Sequence, residues 1–133
     1  MTRYGIDATT LLHLIDNGLR PHGDHQIVAP NLIRSDSLNL LFVDVLEGRR
    51  EERAALKALE RTAEFKMRLL GDRVSRATAW RIASEAGWTA TSKAEYLAVT
   101  KLQADAFVSV DRGFAEQAAA IVPTAPLEAL LHG

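Results

Sequence analysis

The chain has 133 residues, of which 47% are hydrophobic and 25% are charged, as in an ordinary globular protein with apolar material for one core. It has no Cys, which excludes disulfides, thiolate zinc sites and Cys nucleophiles, and its net charge of -1 gives no global positive field for nucleic acid. No apolar run approaches the ~20 residues of a membrane span, and charges interrupt the N-terminus before a signal-peptide core could form. We therefore expect one cytoplasmic domain over residues 1–133, with no membrane segment.

The hydrophobic pattern predicts strands that alternate with helices along the chain. Strands are predicted over residues 3–6, 26–29, 105–110 and 120–122, and residues 65–70 are compatible with either a strand or a loop. Helices are predicted over residues 8–17, 31–47, 51–64, 72–86, 92–103, 114–119 and 127–131. This alternation is typical of an α/β fold in which helices cover both faces of a parallel sheet.

Two predicted strands end directly in an acid, since Asp7 follows Ile6 and Asp111 follows Val110. The carboxyl ends of parallel strands meet at one edge of a sheet, where ligands bind in such folds. Each Asp could equally be the N-cap of the helix that follows it. Carboxylates crowded together repel one another unless a cation compensates, and hard oxygen ligands favour Mg²⁺ or Mn²⁺. The pattern therefore predicts a candidate metal site at this edge.

Two further acids are candidates for the same site. Asp36 shares a helical face with Leu32 and Leu40, so we expect its carboxylate to face the sheet. Attraction to the positive N-terminal end of its own helix is the alternative explanation. Glu95 could also enter the site, but the spacing from Ser92 to Glu95 equally fits a capping box.

Aromatic and basic side chains are candidate contacts for nucleic acid. Trp80 could stack on a base, but its helical neighbours are Ala77, Ile82 and Ala83, so we predict that it packs in the core. Of the 16 basic residues, 12 are Arg, whose planar guanidinium group suits phosphate. The apolar face of the long helix over residues 31–47 is assigned to Leu38, Leu40, Leu41, Val45 and Leu46.

Four segments taken together resemble the PIN-domain family, specifically the VapC-type toxin ribonucleases of type II toxin–antitoxin systems. They are Tyr-Gly-Ile-Asp-Ala at 4–8, the segment from Ala-Pro-Asn to Asn-Leu-Leu at 29–41, Lys-Ala-Glu-Tyr-Leu-Ala-Val-Thr at 93–100, and Ala-Asp-Ala-Phe-Val-Ser-Val-Asp-Arg at 104–112. The resemblance covers nearly the whole chain, and residues 68–74 look most like an actinobacterial branch. It implies a PIN-like three-layer α/β fold with a small parallel sheet flanked by helices.

The resemblance also implies a set of site residues. The family pattern has four acids, and three of them are matched here by Asp7, Asp36 and Asp111. Lys93 stands at the remaining acidic position, where Glu95 or Asp105 could compensate. The implied catalytic residues are Asp7, Asp36, Asp111 and Glu95, of which the three Asp residues bind metal, and the implied accessory residues are Ser109, Arg112 and Lys93.

The activity implied by the resemblance is Mg²⁺- or Mn²⁺-dependent hydrolysis of RNA by an endoribonuclease toxin. Its implied partners are an RNA substrate, a cognate VapB-type antitoxin and a second copy in a homodimer. Lys93 keeps an alternative open, a catalytically degenerate PIN domain that binds RNA or a protein partner. A third interpretation, a receiver-like signalling domain, needs several acids at the first strand, where Asp7 stands alone.

Overall fold

The computed structural model describes residues 1–133 and contains one four-stranded sheet. Its strands are β1 (Thr2–Ile6), β2 (His25–Pro30), β3 (Arg68–Leu70) and β4 (Ala106–Val108). The spatial order is β3-β2-β1-β4, and every neighbouring pair is parallel. This arrangement confirms the small parallel sheet, and it resolves residues 65–70 into a loop followed by a short edge strand.

Seven helices flank the sheet: α1 (Ala8–Asp16), α2 (Leu32–Leu46), α3 (Glu52–Glu64), α4 (Arg73–Ala86), α5 (Ser92–Gln103), α6 (Arg112–Ala119) and α7 (Leu127–Leu131). Helices α1, α2 and α3 contact one another, whereas α4 packs on α5, which lies against β1 and β2. The chain moves from β1 to β2 to β3 in one direction across the sheet and then returns to β4 on the other side of β1. Because connections between parallel strands are right-handed as a rule, this reversal puts the two groups on opposite faces and makes a three-layer α/β fold. None of the helices combines the length and the apolar character that crossing a bilayer requires.

The close approach of α5 to β1 is set by a glycine in the strand. A Cβ atom added to Gly5 would clash with Oγ1 of Thr100 on α5. The absent side chain therefore lets the helix backbone settle on the sheet. This packing places Leu97 and Val99 in the fully buried layer with Phe107.

Three helices begin at an aspartate whose carboxylate accepts a backbone N–H three residues later. Asp7, Asp72 and Asp111 cap α1, α4 and α6 in this way. Helix α4 ends at Gly87, which has a φ of 71° and adopts the left-handed conformation that glycine tolerates best. The predicted ends of these helices are therefore confirmed to within two residues.

The strand predicted over residues 120–122 is absent. The N–H groups of Ile121 and Val122 both donate to the carbonyl of Ala118, so the chain continues the last turn of α6 instead of extending. The segment then meets β4 at one isolated parallel bridge between Phe107 and Thr124. Strand β4 also ends at Val108, two residues before the predicted end, since the Val110 N–H donates to a side chain of α1 rather than to a neighbouring strand.

The predicted burial of Trp80 was wrong, and the apolar face predicted for α2 was right at Leu41 and Val45 but wrong at Leu38, Leu40 and Leu46. Trp80 is 74% exposed, because the face of α4 that packs on α5 carries Thr78, Ala79 and Ile82 instead. On α2 the buried positions are Ile33, Ser37 and Leu41. Large apolar side chains of this helix are left exposed at Leu38, Leu40, Phe42 and Leu46.

Candidate functional site

Asp7 lies at the carboxyl end of β1 with a buried carboxylate. Its Oδ1 accepts the Thr10 N–H at 3.0 Å and also the Thr10 hydroxyl, while its Oδ2 accepts the Ser109 hydroxyl at 2.8 Å. Burial raises the pKa of Asp7 above its usual value, although the hydrogen bonds from Thr10 and Ser109 lower it in part. A carboxylate held in this way is oriented before any ligand arrives.

Asp111 lies at the same edge, three residues after β4. The Asp111 N–H donates to Ser109 Oγ at 3.1 Å, so one hydroxyl joins Asp7 to the backbone of Asp111. The Asp111 carboxylate itself accepts the Phe114 N–H at 3.2 Å and caps α6. Its capping role is therefore present in the structure, and its exposed oxygens can still face a ligand.

Asp36 is half-buried on α2 and accepts a 2.6 Å hydrogen bond from the hydroxyl of Tyr96 on α5. The pKa of Tyr96 lies well above its usual value, first because of burial and then because of the hydrogen bond to Asp36 and the charges of Asp36 and Asp7. Tyr96 thus lies close to both carboxylates and remains a hydrogen-bond donor at neutral pH. Tyr96 belongs to the segment over residues 93–100 that carries the family resemblance, and its sequence context did not indicate the contact of its hydroxyl.

Glu95 is half-buried beside Asp36, and the predicted capping box is absent. Helix α5 has Thr91 as its N-cap, so Ser92 is the first helical residue and the Glu95 side chain is free to turn away from the cap. Burial raises the pKa of Glu95, the guanidinium of Arg76 opposes this shift, and the charge of Asp36 adds to it. Glu95 therefore lies within the electrostatic reach of the other acids.

Lys93 turns toward α6. Its Nζ lies 3.4 Å from Gln117 Oε1 and 5.4 Å from the centroid of the Phe114 ring, and it forms no ion pair with a carboxylate. Asp105 lies at the amino end of β4, where its carboxylate accepts the Arg3 N–H at 2.8 Å. Asp105 is therefore at the opposite end of the sheet from the site and does not compensate for Lys93.

Two of the three accessory residues, Ser109 and Arg112, lie next to each other. Arg112 is the exposed first residue of α6. Together with Ser109, Val110 and Pro126 it lines an open depression of about 370 Å³. A guanidinium here could contact a phosphate that approaches Asp111 from the α6 side.

Thr10 is a residue of the site that the sequence pattern did not single out. This residue is fully buried, its hydroxyl donates to Asp7, and its Oγ1 accepts the Val110 N–H at 3.0 Å. Thr10 thereby ties α1 to the segment that carries Ser109 and Asp111. Its position three residues after a capping aspartate was the available signal, since that spacing brings the side chain back to the cap.

The oxygen atoms at this edge of the sheet match the ligand preferences of a hard divalent cation. The donors at the edge are carboxylate and hydroxyl oxygens, which suit Mg²⁺ or Mn²⁺. No three Asp, Glu or His side chains converge as a group that could hold a metal ion. Mg²⁺ is usually bound through one or two carboxylates, with water and substrate phosphate completing its shell. The residues therefore fit a cation shared with a phosphate better than a closed protein cage.

Comparison with known proteins supports the fold. No protein-family model matches the chain, and no curated protein matches it significantly. The structure is similar to the crystal structure of PAE2754 from Pyrobaculum aerophilum, with a TM-score of 0.71 and 24% sequence identity over 98% of this chain and 94% of that one. At this identity the likeness shows that both chains share a three-layer α/β fold over nearly their whole length.

Proposed function

We propose that the protein is a PIN-domain endoribonuclease of the VapC type, which hydrolyses RNA phosphodiesters with Mg²⁺ or Mn²⁺ in the cytoplasm. The observation that carries this proposal is the pair of hydrogen bonds at the Ser109 hydroxyl. The hydroxyl donates to the buried Asp7 at the end of β1 and accepts the N–H of Asp111, which follows β4. Asp36 is held at the same edge through Tyr96. Three of the four acids expected from the resemblance thus lie at one edge of the sheet.

In this proposal the chain orients its carboxylates before RNA binds. Asp7 and Asp111 would hold the cation together with water and the substrate phosphate, and Asp36 would orient the attacking water. When bound, the cation would activate that water and stabilise charge on the phosphate. Thr10 and Ser109 fix both oxygens of Asp7. Such fixed donors reduce the reorganisation that the reaction requires.

Two further side chains have roles in the proposed reaction. Burial raises the pKa of Glu95, and its half-buried carboxylate would act as a general acid or base toward a nearby oxygen. Arg112 adjoins Asp111 and would contact a substrate phosphate. Both groups are exposed enough to meet RNA.

A second candidate function is a PIN domain that binds RNA or a protein without cleaving RNA. Two observations favour it. The ammonium of Lys93 stands at the expected acidic position and is held against α6, and no three acids form a metal-binding group. This function needs neither a bound cation nor an activated water.

The antitoxin and the second copy of a homodimer remain proposals from the resemblance. Exposed apolar side chains on α2 support them, since Leu38, Phe42 and Leu46 follow one another at four-residue spacing along one side of the helix. Exposed apolar patches of this kind on a water-facing helix often mark protein interfaces. Sedimentation velocity of the wild type and of Phe42→Ser would test this, with a smaller assembly expected for the variant and an unchanged assembly contradicting the proposal.

Cleavage of a structured RNA pool with Mg²⁺ or Mn²⁺ tests the main proposal. We expect cleavage that is lost both in EDTA and in Asp7→Asn. Asp105→Asn is the matched control, since it makes the same change at the opposite end of the sheet and should cleave like the wild type. Folded wild-type protein that binds the RNA but leaves it intact would favour the binding module, and cleavage by Asp7→Asn would refute the site assignment.

A further inference from the structure

The outward face of α4 carries an exposed tryptophan among arginines. Trp80 is 74% exposed, while Ala79 and Ile82 on the inner face are buried. Arg76 lies one turn before Trp80 and Arg73 lies two turns before it, so both share its side of the helix. A large exposed indole in this setting has its flat face available to a ligand.

The guanidinium groups on this side of the molecule are free. Arg68, Arg73, Arg76 and Arg81 are exposed and form no ion pair. By contrast, Arg50 is paired with Asp16 at 2.9 Å, and Arg49 is paired with Asp44. Because Arg49 and Arg50 are paired, they are less available to phosphate. Most of the clustered unpaired arginines therefore lie on or beside α4.

Charge is also segregated along the chain. Residues 65–84 contain the five basic residues Lys66, Arg68, Arg73, Arg76 and Arg81 and only one acid, Asp72. Their net charge is +4 in a chain whose total is -1, so the remaining residues carry -5. A local positive field of this kind attracts polyanions even though the whole protein is slightly acidic.

The α4 face is continuous with the acidic site. Helix α4 starts just after the carboxyl end of β3, at the same edge of the sheet as Asp7. Arg76 and Glu95 line the same small cleft. Trp80 lies about 6 Å farther along the helix axis than Arg76, so a strand leaving the acidic site could pass over Arg76 and reach Trp80.

We propose that Arg73, Arg76, Trp80 and Arg81, here called the α4 platform, bind single-stranded RNA on the flank of the acidic site, with a base stacked on Trp80 and the phosphates contacted by the arginines. The inference rests on the proposed function and adds to it a path for the substrate. An aromatic side chain beside a basic track is the usual device for binding single strands, since every base has a π-face. Charge complementarity selects a polyanion as the occupant.

Binding of a fluorescent 12-nucleotide single-stranded RNA, measured by anisotropy in EDTA, tests the platform without any cleavage. The Asp7→Asn protein serves as the background for all variants. Trp80→Ala should raise the Kd roughly 5- to 100-fold, and Trp80→Phe should restore part of the affinity. Leu56→Ala is the control, since it removes a large apolar side chain that is 56% exposed on α3 and belongs neither to the platform nor to the proposed α2 interface, and it should leave the Kd unchanged.

The salt dependence of RNA binding tests the contribution of the arginines. Arg73→Gln and Arg81→Gln should each reduce the slope of log affinity against log salt by roughly 0.7, the value for one phosphate contact on a single strand. Arg53→Gln on α3 is the control, because Arg53 is also exposed and unpaired. In a Trp88→Phe variant, the remaining emission comes from Trp80 and should be quenched when RNA is added.

The outcomes separate this inference from the proposed function. Cleavage by the wild type, together with equal RNA affinity in Trp80→Ala and Leu56→Ala, would overturn the platform and leave the nuclease proposal standing. Trp80-dependent binding without cleavage would support the platform while the nuclease proposal fails. Binding of polyglutamate in place of RNA, or Trp80-dependent self-association with unchanged RNA affinity, would overturn the platform in favour of an acidic protein or a second copy.

Discussion

The Tyr96 hydroxyl donates a 2.6 Å hydrogen bond to Oδ2 of Asp36, a residue 60 positions earlier in the chain. This bond joins α5 on one face of the sheet to α2 on the other, across the carboxyl ends of the strands. It orients the Asp36 carboxylate, since the donor is a buried side chain of the core. Asp36 is thereby a positioned acid rather than a mobile surface charge.

Tyr96→Phe should lower both stability and activity. The substitution keeps the aromatic ring but removes the hydroxyl that donates to the half-buried Asp36 carboxylate. Loss of a hydrogen bond to a charged group should lower the free energy of unfolding by about 1–3 kcal/mol. Urea unfolding at pH 7 measures this loss. Asp36→Asn is the control, because an amide oxygen can still accept from Tyr96, and its loss should be smaller. Equal stability of wild type and Tyr96→Phe would contradict the bond.

Asp7→Asn should stabilise the fold in a pH-dependent manner. Burial raises the pKa of Asp7, so its contribution to stability is complete below its unfolded pKa and is lost as pH rises through the folded pKa. Asn resembles the protonated acid and avoids this loss. In EDTA, the variant should therefore have a higher melting temperature than the wild type at pH 8, and the difference should become smaller toward pH 4. A wild type that is the more stable protein at pH 8 would refute the burial argument.

Ser109→Ala should move the acid limb of the pH–rate profile to higher pH. The hydroxyl lowers the pKa of Asp7 by donating to its ionised form, so its removal raises that pKa further. The lost hydrogen bond should also cost about 1 kcal/mol near pH 7. Ser109→Thr keeps the hydroxyl and should retain the wild-type profile. An unshifted profile in Ser109→Ala would show that Asp7 is not the group that titrates.

Lys93→Asp should increase the affinity for Mg²⁺. The change replaces a positive by a negative charge at the position where the resemblance expects an acid, and roughly tenfold tighter binding follows from the Coulomb energy near a solvated surface. Lys93→Gln removes only one charge and should give an intermediate affinity. Calorimetric titration measures both variants. Mg²⁺ affinities equal to that of the wild type would mean that position 93 lies outside the metal site, in agreement with the contacts of Lys93 with Gln117 and Phe114.

Gly5→Ala should destabilise the protein by roughly 1–3 kcal/mol, because the new Cβ meets the Thr100 hydroxyl. The clash is specific to one partner, which a double-mutant cycle can show. In a Thr100→Ala background the same change should cost less, since the nearest atom is gone. Chemical denaturation of the four proteins gives the coupling energy. If the losses of stability from Gly5→Ala and Thr100→Ala simply add, the strain does not come from a contact between these two residues.

Local chemistry made much of the fold predictable. An aspartate at each of positions 7, 72 and 111 accepts an N–H within its own first turn, and Gly87 ends its helix through its own backbone. These interactions lie within four residues of each other in sequence. The edge strand at Arg68–Leu70 was harder to recognise, since three residues give too short a pattern and pairing with β2 decides it.

Hydrophobic period and helix capping depend on neighbouring residues, so they were enough to predict the alternation of strands and helices and, through a parallel sheet, the meeting of Asp7 and Asp111 at one edge. The outward face of Trp80, the turn of Lys93 toward α6 and the contact of Asp36 with Tyr96 could not be predicted in this way, since they depend on residues far apart in the chain. Which side of a helix is buried depends on the elements that pack against it. For α4 that element is α5, and it covers the small side chains and leaves the indole and the arginines in water.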